Sequence, residues 1–452
     1  MLKKLSDLCV TVVQRYLPDP FLFCILLTVV VLILAMPLTG QGPVEMITHW
    51  GNGVWSLLAF SMQMALVLVL GNAMAISPPM QRLLKRLASI PKTAFQCILF
   101  VTFFSLVACW INWGFGLVVG AILAKEIAKQ GRRVDYRLLI ASAYSGFLIW
   151  HGGFSGSIPL AIANVTDAVT VQTGGVLSES IPSSQTIFAP FNLLICLLFL
   201  ILLPLVNAWM HPQEDKIVLI DAKLLSESPQ EVIGNNTPAE KLENNRILSW
   251  IVVLLGGIWL VRHFIYKGFL LDLNVVNLTF LTLGVFLHGT PIRYVRAISE
   301  ATKGAAGILL QFPFYAGIMG MMIGSHPETD ANLAGVISNG FVAISNPTTF
   351  PLFSFFSAGI VNFFVPSGGG QWAVQGPIMM PAGEALGISP AVTAMSIAWG
   401  DAWTNMIQPF WALPALGIAK LGARDIMGFC VIDLLVSGLI ICLVFLGIGL
   451  LT

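Results

Sequence analysis

Asp401 is the acid around which chemistry can be built. It sits in a long apolar run, with Thr404, Asn405 and Gln408 following within two helical turns. Carboxylate, hydroxyl and amide oxygens in such a group suit a small hard cation such as Na⁺, and a buried carboxyl can instead hold a transported proton. No lysine or arginine occurs between positions 304 and 419, so no neighbour in sequence neutralises Asp401. A bare charge at mid-membrane costs on the order of 3 kcal/mol by insertion scales, which makes such a residue functional by default. The plainer reading is an aspartate capping a half-helix. His151, followed by Gly152 and Gly153, occupies the matching break in the first half of the chain. A histidine can change charge near neutral pH; a hydrogen-bonded histidine in a packed turn is the plainer alternative. Ser155 and Ser157 lie close by, but no GxSxG elbow and no buried acid at suitable spacing support a Ser/His hydrolase.

Anion chemistry has a different address. Pro366-Ser367-Gly368-Gly369-Gly370-Gln371 interrupts one apolar region and Asn112-Trp113-Gly114 another. Neither holds a basic residue, so a carboxylate there must be bound by helix N-termini, backbone N–H groups and small hydroxyl or amide side chains. Glycines let the backbone come close to an anion. Three in a row are not expected to sustain a helix, and Pro366 removes a donor, so the backbone is expected to break at this point. Broken backbone in lipid is tolerated only where protein or a water-filled cavity surrounds it. A cap at Asn112 and a packing turn at the glycines are the plainer readings. Trp113, Trp150, Trp372, Trp399 and Trp403 flank the interruptions. They can wall a small apolar pocket for an acyl tail, although tryptophan is also the residue of membrane-interface belts.

The elements that must position these residues are membrane helices. The chain has 452 residues, 56% hydrophobic and 10% charged, with net charge +1, against about 25% charged in soluble proteins. Apolar segments of about 20 residues recur, each long enough to cross a bilayer. The fold class is an all-α polytopic membrane protein. There is no basic stripe or zinc-finger spacing for nucleic acid and no GxxxxGK[ST] loop for a nucleotide-driven pump. The seven cysteines are scattered without a CxxC pair and read as packing residues. No cofactor is expected beyond a coupling H⁺ or Na⁺. Lys3 and Lys4 are separated by Pro18-Asp19-Pro20 from the apolar stretch ending near Thr39, which reads as a retained membrane helix rather than a signal peptide.

Nine full spans are expected, at 20–39, 54–76, 137–163, 186–210, 247–265, 270–288, 304–326, 391–419 and 428–451, those at 137–163 and 391–419 being broken helices. Hairpins are expected at 94–131 and 350–386, and basic surface segments at 77–93 and 293–303. Residues 211–246 form a hydrophilic linker between an N-terminal repeat, 1–210, and a C-terminal repeat, 247–452. Asp433 is expected to face a dimer or interface region. Gly116/Gly120 and Gly320/Gly324 have the spacing of close helix contacts.

The halves correspond. A shift of 255 places Asn112 on Ser367, Gly114 on Gly369, Tyr144 on Trp399 and Pro159 on Pro414. Paired interruptions in matching positions of two halves point to a transporter site. The 23 Lys and Arg residues cluster at 3–15, 82–92, 125–137, 216–246, 293–303 and 420–424, with only Arg262 and Lys267 apart. The positive-inside rule makes the clusters cytoplasmic. The N-terminus is then inside, the C-terminus outside, and the repeats inverted.

FVPSGGGQWAVQGPIMMPAG (364–383), GDAWTNMIQPFWALP (400–414) and RYLPDPFLFCILLT (15–28) resemble the bacterial short-chain fatty acid transporters over essentially the whole length. The resemblance implies import of acetoacetate, butyrate and similar monocarboxylates across the bacterial inner membrane by ion-coupled symport. It also implies a homodimer of the ion-transporter superfamily, with two re-entrant hairpins, two broken helices and a transport domain moving against a scaffold. The substrate residues expected from the residues themselves are Asn112, Trp113, Gly114, Ser367, Gly368, Gly369, Gly370, Gln371, Trp399 and Trp403. The coupling ion falls to Asp401, Thr404, Asn405, Gln408 and His151. A dicarboxylate or other organic-anion carrier is the alternative within transport, and an intramembrane enzyme the alternative outside it.

Overall fold

A computed structural model describes the chain apart from residues 1, 164–166, 221–236, 269–271 and 452, so part of the expected linker at 211–246 lies outside the described residues. Among the described residues there are helices and no strand, and seven helices are long and apolar enough to cross a membrane. One of the seven, Ala94–Ile111, is an arm of the first hairpin. The crossing expected at 270–288 is the shorter helix Leu273–His288.

Each hairpin turns at a capping residue. In the first, Ala94–Ile111 is joined to Trp113–Ala128 through Asn112 alone. Asn112 is extended (φ −155°, ψ 123°), and its side chain accepts a hydrogen bond of 2.9 Å from the Phe115 N–H. In the second, Phe350–Phe364 is followed by Gly368–Ala385. Ser367 is extended in the same way (φ −153°, ψ 105°) and accepts from the Gly370 N–H at 3.3 Å. The aligned pair thus performs one task, three residues from its donor in both halves. The glycine run differs from expectation, because Gly368, Gly369 and Gly370 form the first turn of a helix. First-turn N–H groups have no intrahelical acceptor in any case, and the cap at Ser367 offsets part of glycine's entropic cost. The break itself is confined to 365–367.

The two long spans between hairpin and last helix are broken as expected. The first runs Tyr136–Ser145, tightens into a 3-10 turn Gly146–Gly152, and resumes at Ser157–Ala163. The second runs Pro390–Thr404, passes through the 3-10 turn Pro409–Ala412, and resumes at Leu413–Ala419. Glycines interrupt the first, and Pro409 lacks the donor that the second would need.

One helix departs from the expected order. Pro43–Val54, which falls between the spans expected at 20–39 and 54–76, is helical. With it, the two halves repeat as span, short helix, span, short helix, hairpin, broken helix, span. The first half uses Pro20–Thr39, Pro43–Val54, Leu58–Ala75 and Pro78–Ala88 before its hairpin. The second uses Leu273–His288, Pro291–Thr302, Ala306–Ile323 and Leu333–Ala343. Leu2–Tyr16 and Arg246–Lys267 stand outside the repeat. Packing is reciprocal: Pro43–Val54 lies on Ala306–Ile323, and Pro291–Thr302 lies on Leu58–Ala75. The first contact is close because Gly53 and Gly320 meet backbone to backbone, and Gly324 sits against His49. Gly116 and Gly120 likewise close the first hairpin against Cys109 and Ser105.

The basic clusters gather at one end of the molecule. Arg132 donates to the Ala88 carbonyl at 2.8 Å, Lys216 pairs with Asp7 at 2.7 Å, and Arg424 donates to the Leu17 carbonyl at 2.6 Å. Tyr136 at the start of the first broken helix reaches the Ala419 carbonyl at the end of the second (2.9 Å). The last helix, Ala423–Leu451, starts at this end and runs the length of the molecule, and its Gly449 packs on Thr348 at the base of the second hairpin. The two hairpins therefore open toward opposite ends. Asp433 is not at a surface: it is 0% exposed, because the last helix packs against Leu2–Tyr16, Pro190–Trp209 and Tyr136–Ser145.

Candidate functional site

Both hairpin tips run to the breaks of the broken helices. The first tip is fixed to the first break by three hydrogen bonds. The Trp113 N–H donates to Ser155 Oγ (3.0 Å), the Phe154 N–H to the Trp110 carbonyl (2.9 Å), and Trp110 Nε1 to the Gly152 carbonyl (3.1 Å). Ser155 thus holds a hairpin tip, a structural task. The Trp113 ring then meets Trp411 of the second break edge-on at 5.1 Å and Trp150 of the first at 6.0 Å. Phe147 stacks on Trp150 (5.5 Å) and also reaches Trp411 (5.2 Å). These four rings join three elements into one aromatic wall.

The second tip comes to His151. A Cβ added at Gly368 would lie 2.9 Å from both Cε1 and Nε2 of that ring. The imidazole is fully buried and stacked on Trp150 at 3.7 Å. Its Nδ1 is 2.8 Å from the Ala398 carbonyl and 3.2 Å from Asp401 Oδ1. Asp401 is itself 1% exposed. The hydrogen-bond geometry favours the carbonyl, so the approach to Asp401 is one of charge, and neither Asp401 oxygen has a hydrogen-bond partner among the described residues. His151 Nε2 and the indole nitrogens of Trp150 and Trp411 are also buried and unpartnered. Three orphan ring nitrogens and one orphan carboxylate in so small a region are costly for a structure to keep.

Other expected residues have different surroundings. Thr404 donates to the Gly359 carbonyl (2.8 Å), and Asn362 donates to both Thr404 Oγ1 (3.0 Å) and Asn405 Oδ1 (2.8 Å). These bonds tie the second hairpin to the second broken helix. Tyr144 crosses between the halves to the Asn405 carbonyl at 2.6 Å. Gln408 caps the 3-10 turn through the Phe410 N–H. Gln371 bonds the Ala358 carbonyl and Gln375 inside the second hairpin. Trp399 donates to Asn192 and packs on Phe199 and Gly152, behind the imidazole. Trp403 donates to the Leu434 carbonyl and packs on Phe355 and Gly438, between the second hairpin and the last helix. Gly114 faces Val67 and Leu273, Gly370 faces Met319, and Gly369 has nothing within 4 Å of an added Cβ. Of the expected set, Asn112, Trp113, Ser367, Gly368, His151 and Asp401 meet at the tips and breaks. Trp411 and Phe147 belong there too. Trp411 was visible in the FW pair after Pro409, but nothing in the sequence marks which tryptophan of a break turns inward.

The family described as Short chain fatty acid transporter matches residues 1–448. A relative in Escherichia coli (strain K12), named for short-chain fatty acid transport, is 47% identical over 443 residues, covering 97% of this chain and 98% of its own. One in Haemophilus influenzae with the same name is 47% identical over 443 residues, covering 96% and 97%. The crystal structure of the Alcanivorax borkumensis YdaH transporter aligns over 96% of this chain and 98% of its own, at 15% identity and a TM-score of 0.42. With a match of this extent in family and relatives, the chain belongs to the short-chain fatty acid transporters, a family of multi-pass membrane proteins and not of enzymes.

Proposed function

We propose that this chain imports short-chain monocarboxylates, acetoacetate and butyrate among them, by proton-coupled symport across the bacterial inner membrane. The observation that carries the reading is the meeting of His151 and Asp401 beneath the second hairpin tip, with an aromatic wall beside them and no lysine or arginine in the group. The substrate carboxyl would lie between the tips, near Trp113, Ser367 and Gly368, with its acyl tail against Trp113, Phe147, Trp150 and Trp411. A proton is favoured over Na⁺ because a ring N–H lies 3.2 Å from Asp401, where it repels a cation, and the side-chain oxygens of Thr404 and Asn405 are engaged by Asn362.

The clustering of the basic segments at one end supports a cytoplasmic N-terminus and a periplasmic C-terminus. The reciprocal packing and oppositely opening hairpins support an inverted repeat. Helix Arg246–Lys267, outside the repeat and with only Ser249 and Gly256 buried, offers an apolar face for a second copy, in keeping with a homodimer. The test is uptake of labelled butyrate into proteoliposomes holding only this protein, under H⁺ and Na⁺ gradients imposed separately. A proton gradient alone should drive accumulation. Accumulation that needs Na⁺, or no uptake under either gradient, overturns the proposal.

A further inference from the structure

Resting on that reading, we infer that the substrate binds as the neutral carboxylic acid, its O–H donating to Nε2 of His151, so that the coupled proton travels on the substrate.

The argument is one of donors and acceptors. A carbonyl oxygen can only accept, so the 2.8 Å contact with Ala398 places the ring hydrogen on Nδ1. Asp401 Oδ1, 3.2 Å from the same nitrogen, favours a hydrogen there as well. Nε2 of the neutral ring is then a bare acceptor, fully buried and without a partner. A second hydrogen on Nε2 would leave a charged N–H without an acceptor, which is costlier than an unfilled lone pair. The buried ring therefore offers an acceptor to an incoming carboxyl. A carboxylate has only acceptors and cannot fill it, whereas a carboxylic acid brings the missing donor. Its second oxygen needs a donor in turn, and the indole N–H of Trp150, stacked on the imidazole, is buried and unpartnered. The surrounding aromatic wall favours the uncharged form of the acid for the same reason that burial favours any neutral group.

Access to Nε2 depends on a side chain that is absent. Gly368 lies directly over the atom, and a methyl there would be 2.9 Å from it. Cys97, Cys109, Cys196, Tyr136 and Tyr144, on elements packed against this turn, are uncharged near neutral pH at their ordinary values, Arg137 at the far start of Tyr136–Ser145 pairs with Asp135, and Glu384 lies at the far end of Gly368–Ala385. Lys125 and Glu126 share a hairpin arm with Trp113 but lie three turns further along it. Asp401 is thus the charged group facing the ring.

Butyramide separates this inference from carboxylate binding, since it carries its own N–H donor and no proton to lose. With the full chain in proteoliposomes, the apparent affinity for butyrate should fall about tenfold per pH unit through the neutral range, because the acid form declines by that factor. Butyramide should compete for butyrate uptake with an affinity that pH does not change. Gly368→Ala, which covers Nε2 and keeps the imidazole, should weaken both ligands at least tenfold. Gly340→Ala, where an added Cβ meets nothing within 4 Å, controls for insertion and thermal stability. Uptake of butyrate with a flat pH response and no competition by butyramide overturns the inference and leaves the transporter reading standing. Failure of the wild type to take up butyrate at any pH overturns both.

Discussion

At His151 one hydrogen bond to Ala398 decides which ring nitrogen is left for chemistry, and one glycine decides whether that nitrogen can be reached. Asp401→Asn keeps the size and removes the charge that favours a hydrogen on Nδ1. It should weaken the apparent affinity for butyrate while accumulation stays tied to the proton gradient; wild-type affinity would reduce Asp401 to packing. Gly368→Ala should lower uptake more than about tenfold, equivalent to about 1.4 kcal/mol or more of lost binding. Gly369→Ala should cost far less, since its added methyl has open space. Comparable losses at the two glycines would mean that backbone freedom, and not the cover over Nε2, is what the run supplies. The importance of Asp401 was legible in sequence because a lone acid in an apolar run stands out. His151 stood in the same expected group, but its contact with Asp401 was not legible. His151 is 250 positions away, and the repeat shift that aligns so much else sets Asp401 on Gly146 and His151 on Met406.

At the scale of elements, the breaks are set by local chemistry and their company by long-range packing. Asn112 and Ser367 could be matched from sequence since a cap acts within three residues. Helix Pro43–Val54 escaped notice because Gly51, Asn52 and Gly53 argue locally against a helix. Its glycine is there for the neighbour: a Cβ at Gly53 would lie 2.7 Å from the Ala316 carbonyl. Gly53→Val should therefore destabilise the protein by about 1–3 kcal/mol, the usual cost of overfilling a contact. A drop in melting temperature in detergent would report it, and an unchanged melting temperature would show that the two helices separate easily. The second hairpin rests on Asn362, whose amide joins it to Thr404 and Asn405. Asn362→Ala leaves buried groups unsatisfied and should cost about 1–3 kcal/mol.

The whole molecule shows why charge was so informative a signal. Charges cannot be spread through an apolar slab, so the clusters collect at one end, and the fold brings Asp7 to Lys216 and Ala88 to Arg132 there. In a cysteine-free background, single cysteines at Ser178 and Glu243 should react with membrane-impermeant reagent from opposite sides; reaction of both from the cytoplasm would defeat the inverted arrangement. What charge could not foretell is how the halves face each other, because that rests on glycine contacts such as Gly53 with Gly320. The His151–Asp401 contact has a further consequence, one of counting. Two halves with the same order of elements duplicate the features that both possess, as they do the caps at Asn112 and Ser367. A contact between unlike residues, with methionine and glycine at the mirrored positions, is made once. The order of elements repeats and the central contact does not, so each chain should bind a single acid molecule.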